Sequence, residues 1–325
     1  MRISRRRWLQ AGSAALVWPG LGRTQATYPS RPIRMLVQFP PGGNVDTLAR
    51  LLATRLTTQL GQQVLVENRA GANGAIAYQA LAAAAPDGYT LGFGHVAQLA
   101  MNPHLIATLG YRPLQDFTAI CRLADAPNVL ATHPAVKASN LGELLALARA
   151  APGRISLAHA GIGTVGHLSG AWLEKEAGVD FLEVPYKGSA QVASDLMAGQ
   201  VMASFGALPS YMPGIVAGKL RALAVTTARR LAAYPAIPTV AESGFPGYHA
   251  VAWIGLIGPA GLAPAVVAVL AREAQRAIAA PDARESLDRN GYVPVPAGAR
   301  EFAAFIESEY QAWGKIIRER GYKVE

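Results

Sequence analysis

Residues 154–186, RISLAHAGIGTVGHLSGAWLEKEAGVDFLEVPY, decide how this chain is read. RISLAHA (154–160) is a short apolar strand, GHLSGAWLEKEAG (166–178) is a helix closed by Gly178, and VDFLEVPY (179–186) is a second strand. Strand, glycine turn, helix and strand make a β-α-β unit, which places two parallel strands in one sheet. Gly161, Gly163 and Gly166 spell G-x-G-x-x-G, the spacing of a dinucleotide-binding turn, and Glu183 follows about twenty positions on. Glu183, however, lies inside the second strand, with Val184, Pro185 and Tyr186 after it. A ribose-binding acid belongs at the carboxyl end of a strand. The glycines therefore leave two readings open, a nucleotide turn or a cradle for another anion.

The alternation extends in both directions. Toward the N-terminus, strand 33–39, helix 44–61, strand 63–68, helix 74–85 and strand 86–94 follow one another, with Leu48, Leu51, Leu52, Leu56 and Leu60 as the buried stripe of the first helix. Segment 116–124 and strand 128–133 lead through helix 140–150 to the central unit. Beyond it come helix 189–199, strand 201–207, helix 209–219, strand 221–227 and strand 251–261. Helices 264–280, 281–290 and 299–320 close the chain. This pattern predicts an α/β protein of mostly parallel sheets flanked by helices. Two crossover segments predict two lobes, 27–125 plus 251–325 and 126–250, with a ligand cleft between them.

The ends and the composition bound the rest. Ser4-Arg5-Arg6-Arg7-Trp8-Leu9-Gln10 is close to a twin-arginine export signal. A short apolar run and the small residues around Ala26 complete the pattern, so residues 1–26 read as a signal peptide cleaved near Ala26 and the mature protein as periplasmic. The formal charge of +9 falls to +4 once the five arginines of that segment are removed. The remaining basic residues are scattered singly, which gives nucleic-acid binding little support. Cys121, the single cysteine, sits in the apolar run FTAICRLA and reads as a small buried hydrophobe. The six histidines show no HExxH or paired spacing, and His159 and His167 stand eight residues apart across a turn. No metal site or cofactor is expected.

Five strand-to-helix turns are rich in glycine and small polar residues: 39–46, 93–98, 159–167, 186–190 and 205–210. Glycine lets backbone approach a ligand, and the helix start that follows offers unpaired N–H groups and partial positive charge, which suits a carboxylate as well as a phosphate. Asn44 and Thr164 are candidate donors to such an anion, and Asp46 is a candidate cap for the first helix. No catalytic set accompanies them. Gly166-His167-Leu168-Ser169-Gly170 places the serine one position late for a nucleophile elbow, and Asp46 is the one carboxylate in the glycine turns. The cleft reads as one that binds and does no chemistry.

YPSRPIRMLVQFPPGGNVDTLARLLA, VLVENRAGANG, APDGYTLGFG, MNPHL, PNVLATHP, VPYKGSAQVASDLMAGQV, GKLRALAVT and IPTVAESGFPGY occur in this order. From Tyr28 to the end the chain resembles the Bug-type extracytoplasmic receptors of tripartite tricarboxylate transporters. The resemblance implies a two-lobed periplasmic-binding-protein fold of type II-like form. It implies capture of a small organic carboxylate and delivery to membrane permease subunits; a monomer is expected. It also implies a ligand site at Phe39, Gly42, Gly43, Asn44, His95, Val96, Gly161, Gly163, Thr164, Gly188, Ser189, Phe205 and Gly206. One ligand carboxylate would rest on the N–H groups of the Gly163-Thr164 turn and the threonine hydroxyl, with ordered waters against the 39–44 turn. Three positions depart from the family pattern: Ile162 and Val165 replace polar residues, and Gly206 stands where an aspartate is usual. These changes imply a roomier, more apolar pocket and a ligand without an amino group that bears an apolar or aromatic body. Two alternatives stay open at this point, a ligand sensor for a signalling partner on the same fold and an exported NAD(P)-dependent oxidoreductase.

Overall fold

The computed structural model describes residues 28–321. The export signal expected over 1–26 lies outside the described residues. In chain order the elements are β1 (Ile33–Val37), α1 (Asn44–Leu60), β2 (Val64–Asn68), α2 (Ala75–Ala82), β3 (Thr90–His95), α3 (Asn102–Leu105), β4 (Phe117–Thr132), α4 (Leu141–Ala150), β5 (Ser156–His159), α5 (Val165–Ala177), β6 (Leu182–Pro185), α6 (Ser189–Met197), β7 (Ala203–Ala207), α7 (Leu208–Val216), β8 (Arg221–Val225), β9 (Val251–Pro259), α8 (Pro264–Ala279), α9 (Pro281–Arg289), β10 (Val293–Ala297) and α10 (Ala299–Arg320). A turn of π-helix, Ala97–Met101, joins β3 to α3. No helix among the described residues is long and apolar enough to cross a membrane.

The strands join in the order β2-β1-β3-β9-β4-β7-β5-β6, with β8 and β10 also pairing with β4. Helices flank this curled sheet, so the fold is mixed α/β as expected. The pairing differs from the mostly parallel sheets read from the sequence. It is parallel at the two wings, β2-β1-β3 and β7-β5-β6, and antiparallel wherever β4 and β9 take part. Parallel wings follow from β-α-β repetition, since each crossover helix returns the chain in the same direction. The centre follows from β9, which comes back from the far half of the chain and enters beside β3 in the opposite sense.

β4 is one strand where the sequence suggested two. Phe117 to Pro127 pair with β9, whereas Asn128 to Thr132 pair with β7. One long strand therefore serves both halves of the sheet. The other crossing point lies at Ala250, and Thr226 ties the two together. Its buried hydroxyl donates to Ala250 O at 2.5 Å and accepts from Asn128 N–H at 3.1 Å. The first half is packed around α1, α8 and α10, with Leu48, Leu52, Leu56, Leu270 and Phe302 fully buried. The second half is packed around α4, α5 and β7, with Leu144, Leu173 and Phe205 buried. Val165 and Leu168, at the start of α5, belong to the core of the first half. The halves meet face to face as well: a Cβ on Gly188 would stand 3.2 Å from Pro40, and one on Gly42 would stand 3.6 Å from Ala190.

Candidate functional site

The turns after β1, β5, β6 and β7 bring four helix starts to one place. α1 follows cap residue Gly43, α5 follows Thr164, α6 follows Gly188 and α7 follows Ala207. All four cap residues line a single cavity of about 260 Å³ between the halves. The first N–H groups of a helix have no partner within it, and the helix end carries about half a positive charge. Gly43, Gly188 and Ala207 supply no side-chain cap, so the starts of α1 and α6 keep their first-turn donors, whereas α7 keeps fewer because Pro209 in its first turn has no N–H. Lys187 lines the cavity too, and no aspartate or glutamate lines it among the described residues. Phe39, Pro40, Val165 and Phe205 make the rest of the wall largely apolar. A largely apolar cavity at several helix starts, with one cation and no acid in its lining, is suited to hold an anion.

Nine of the residues expected at the site line this cavity: Phe39, Gly43, Asn44, His95, Thr164, Gly188, Ser189, Phe205 and Gly206. Gly161 and Gly163 line a second, adjoining cavity, which Thr164 shares. Gly42 and Val96 line neither. Gly42 spends its N–H on Asp46 Oδ2 at 2.9 Å, and Val96 is wholly buried at the end of β3. Asp46 is not the cap expected of it: α1 is capped at Gly43 without a side-chain contact, and Asp46, in the first turn, pins the preceding turn through Gly42 while Arg50 and Asn68 hold its carboxylate. Burial raises its pKa, but these hydrogen bonds prevail and hold it below the usual carboxylate range. His95 sits beneath Phe39, ring to ring at 5.2 Å. Its Nδ1 accepts from Ala97 N–H at 3.2 Å, so the neutral ring carries its proton on Nε2. Burial pushes its pKa down to about 4, which keeps that ring neutral at pH 7.

The glycine turn works differently from the expected cradle. Gly161 and Gly163 have φ of 132° and 74°, a region that favours glycine. Gly161 N–H donates to His159 Nδ1 at 3.2 Å, and Gly163 N–H donates to His167 Nδ1 at 3.1 Å. The Thr164 hydroxyl donates to Gly161 O at 2.7 Å while accepting from His167 N–H at 3.3 Å. The donors assigned to a ligand from Gly163 and the threonine hydroxyl are thus committed to shaping the turn. The first-turn N–H groups of α5 that have no intrahelical partner and are not used by the cap are those of Val165 and Gly166, and both residues line the cavity. Gly166 completes the fingerprint for a packing reason, since a Cβ there would overlap the carbonyl oxygen of Phe205.

Glu183 is the anchor of this turn. Its Oε1 lies 2.7 Å from His159 Nε2 and 3.4 Å from His167 Nε2. The sequence spacing held the two histidines apart; the turn folds them together, with ring centroids 4.8 Å apart. The trio has the composition of a metal site, with ligand atoms all within 4.8 Å. The tautomers oppose that use. With each Nδ1 accepting from a glycine N–H, the neutral rings carry their protons on Nε2, the atom an ion would need. Burial, with the neighbouring His159, lowers the His167 pKa to about 4, so the ring stays neutral.

Gly206 does not enlarge the pocket. The ring of Tyr211 occupies the space that a side chain at 206 would take, and its hydroxyl pairs with Ser204 Oγ at 2.6 Å. The sequence reading did not select Asn128, Lys187 or Gln191, which also line the cavity. Lys187 lay inside a turn already singled out, YKGSA. Asn128 is a lone amide in an apolar strand and is 2% exposed, a pattern that marks a buried polar group with a task.

The chain matches the family described as the tripartite tricarboxylate transporter family receptor over residues 48–322. It is 38% identical over 300 residues to BugT of Bordetella pertussis, covering 92% of each chain. A protein of R. palustris solved with adipate superposes with a TM-score of 0.87 at 33% identity, covering 90% of this chain and 98% of that one. MatC of Rhodopseudomonas palustris with bound malate gives 0.84 at 31% identity, covering 89% of this chain and all of the other.

Proposed function

The chain belongs to the tripartite tricarboxylate transporter receptor family, and from that premise we propose that it captures a small organic carboxylate and delivers it to a tripartite tricarboxylate-type membrane transporter. It is a periplasmic solute-binding receptor and not an enzyme. The observation that carries the carboxylate is the convergence of four helix starts on one cavity that no acidic side chain lines. Adipate and malate in the two related structures support the same chemistry.

In this reading one ligand carboxylate sits at the first turns of α5 and α6, on the N–H groups of Val165, Gly166, Ser189 and Ala190. Asn44 and Lys187 reach it from the sides, and neutral His95 offers Nε2–H. Phe39 and Phe205 hold an apolar or aromatic body. A ligand ammonium finds no carboxylate partner here, so acids without an amino group are favoured over aspartate and glutamate. The lobes are 27–125 plus 251–325 and 126–250, closing about the crossings at Asn128 and Ala250. The receptor works as a monomer, exported by the twin-arginine route with cleavage near Ala26.

The test is ligand-dependent melting of residues 27–325, stripped of carried ligand by partial unfolding. The panel is mono-, di- and tricarboxylates, aromatic acids, amino acids, NAD and NADP. An acid at a hundred times its dissociation constant stabilises by about 2.7 kcal/mol, a rise of roughly 5 °C or more at this size. A shift with carboxylates and none with nucleotides is expected. A shift with NAD or NADP alone would return the glycine turn to the nucleotide reading, and stronger stabilisation by aspartate than by any non-amino acid would sink the ligand class.

A further inference from the structure

The two halves also meet away from the cavity. The end of α9 and the turn after it, residues 287–292, belong to the first half and touch both. Tyr292, 3% exposed, donates its hydroxyl to the carbonyl of Asn44 at 2.5 Å, at the first residue of α1. Gly291, with φ of 76°, lies against α7 of the second half: a Cβ there would stand 2.8 Å from Leu208 and 3.4 Å from Met212. Tyr234, from the second half, donates its hydroxyl to the carbonyl of Arg289 at 2.8 Å and stands 3.3 Å from that of Asp288. Those carbonyls end α9, where a helix has acceptors without donors of its own and a partial negative charge. A side chain of one half thus caps a helix of the other.

Residues 287–292, Leu208, Met212 and Tyr234 line neither cavity. Asn44 and Leu208 are nevertheless the first residues of α1 and α7, and the caps before them, Gly43 and Ala207, do line the first cavity. The turn therefore holds two of the four helix starts from behind, in the same arrangement that brings Gly188 against Pro40 across the cleft. The chain passes between the halves only along β4 and at Ala250, so the remaining contacts between them can break when the halves part. A contact that forms in the closed arrangement and touches no ligand adds the same free energy to closure whatever ligand is bound. The apparent affinity of every ligand then scales with the fraction of protein that is closed.

We propose that Tyr234 and the α9–β10 turn form a latch between the halves, which sets the balance of open and closed forms and through it the affinity for all ligands alike. The latch rests on the two-lobe reading and is indifferent to which acid the receptor takes. Tyr234 supplies its directional contact, and Gly291 supplies the close approach that lets the turn seat on α7.

Two variants leave the cavity lining untouched: Tyr234→Phe deletes the capping hydroxyl, and Gly291→Ala drives a methyl group between the turn and Leu208. Spin labels on Thr58→Cys of α1 and Lys219→Cys beyond α7, both exposed, report the distance between the halves, since the protein's own Cys121 is buried. In ligand-free protein both latch variants are expected to shift these distances to longer values, and a saturating acid should restore the wild-type distance. By calorimetric titration, Tyr234→Phe should weaken every acid that binds by one common factor, about three- to tenfold. Distances and affinities equal to those of wild type, with only the melting temperature lowered, would overturn the latch, because the contact would then survive opening. Losses that differ from one acid to the next would overturn it too, since the change would then act within the cavity. If no acid binds the wild type, the carboxylate reading falls, while the distances in ligand-free protein still decide the latch.

Discussion

Gly163 donates its backbone N–H to Nδ1 of His167 across 3.1 Å, so a glycine from the ligand turn is held by a side chain from the helix that the turn begins. The neighbouring pair does the same, Gly161 to His159, and Glu183 fixes both rings from behind. The shape of the turn is therefore set before any ligand arrives, which lowers the ordering cost of binding.

Replacing His167 by alanine removes the acceptor for Gly163 and one contact to Glu183. The expected loss is about 1–3 kcal/mol of stability, from a partly buried donor left unpaired. Carboxylate affinity should fall as well, because the first turn of α5 loses its brace. Urea unfolding and titration of the same variant read the two effects; unchanged affinity would mean that the brace does not shape the site.

Thr164→Val keeps the shape of the side chain and removes the oxygen that caps α5 and pins Gly161. A loss of about 1 kcal/mol is expected, with Thr164→Ser close to wild type. Binding should weaken with valine and survive with serine. Since the hydroxyl hydrogen is already donated to Gly161, a binding loss without any stability loss would show that the hydroxyl contacts ligand directly.

Gly206→Ala places a Cβ within the ring of Tyr211. Overpacking of this kind costs about 1–3 kcal/mol. The double variant with Tyr211→Ala should cost less than the sum of the two single changes, by 0.5–3 kcal/mol for side chains in contact. Strict additivity in thermal melts would contradict the observed packing.

His95 and His167 make stability depend on pH in a defined sense. Burial lowers both folded pKa values to about 4, against 6.5 when free. Between about 4 and 6.5 the unfolded chain binds more protons at these sites, so each contribution is complete above the free value and is lost as pH falls. The slope is up to about 1.4 kcal/mol per pH unit for each ring. Asp125, Glu174 and Glu309, whose carboxyls burial pushes up, act in the opposite sense at the low end of this window. The decisive measurement is therefore the difference between wild type and His95→Gln, by urea unfolding at pH 7 and pH 5; an equal slope in both would remove His95 as a source.

Periodicity and turn residues carried the local structure. Leu48, Leu52 and Leu56 of the α1 stripe are buried as expected, while Leu51 and Leu60 are half-buried at its edge. Gly61 and Gly178 at helix ends, with φ of 65° and 61°, and the β-α-β unit around Gly161 stand where the sequence placed them. Such features depend on neighbours within a few positions, which a linear reading can see. The short segments went unread for the opposite reason. The π-helical turn at Ala97–Met101 and strand β10 have no period of their own and exist because α10 and β4 pack or pair with them.

The site divides along the same line. The sequence by itself determined the α/β alternation, the glycine-rich turns and nine of the residues that line the cavity. Only the tertiary structure decided which donors are free. It folded His159, His167 and Glu183 into one brace, filled the space at Gly206 with Tyr211, and added Asn128 from a strand that pairs with both halves. It also left both amide atoms of Gln38, and Oδ1 of Asn102, buried without hydrogen-bond partners among the described residues. Hydrogen-bond commitment and steric occupancy are set by residues far apart in the chain, so they come into being only when the two halves of the sheet meet.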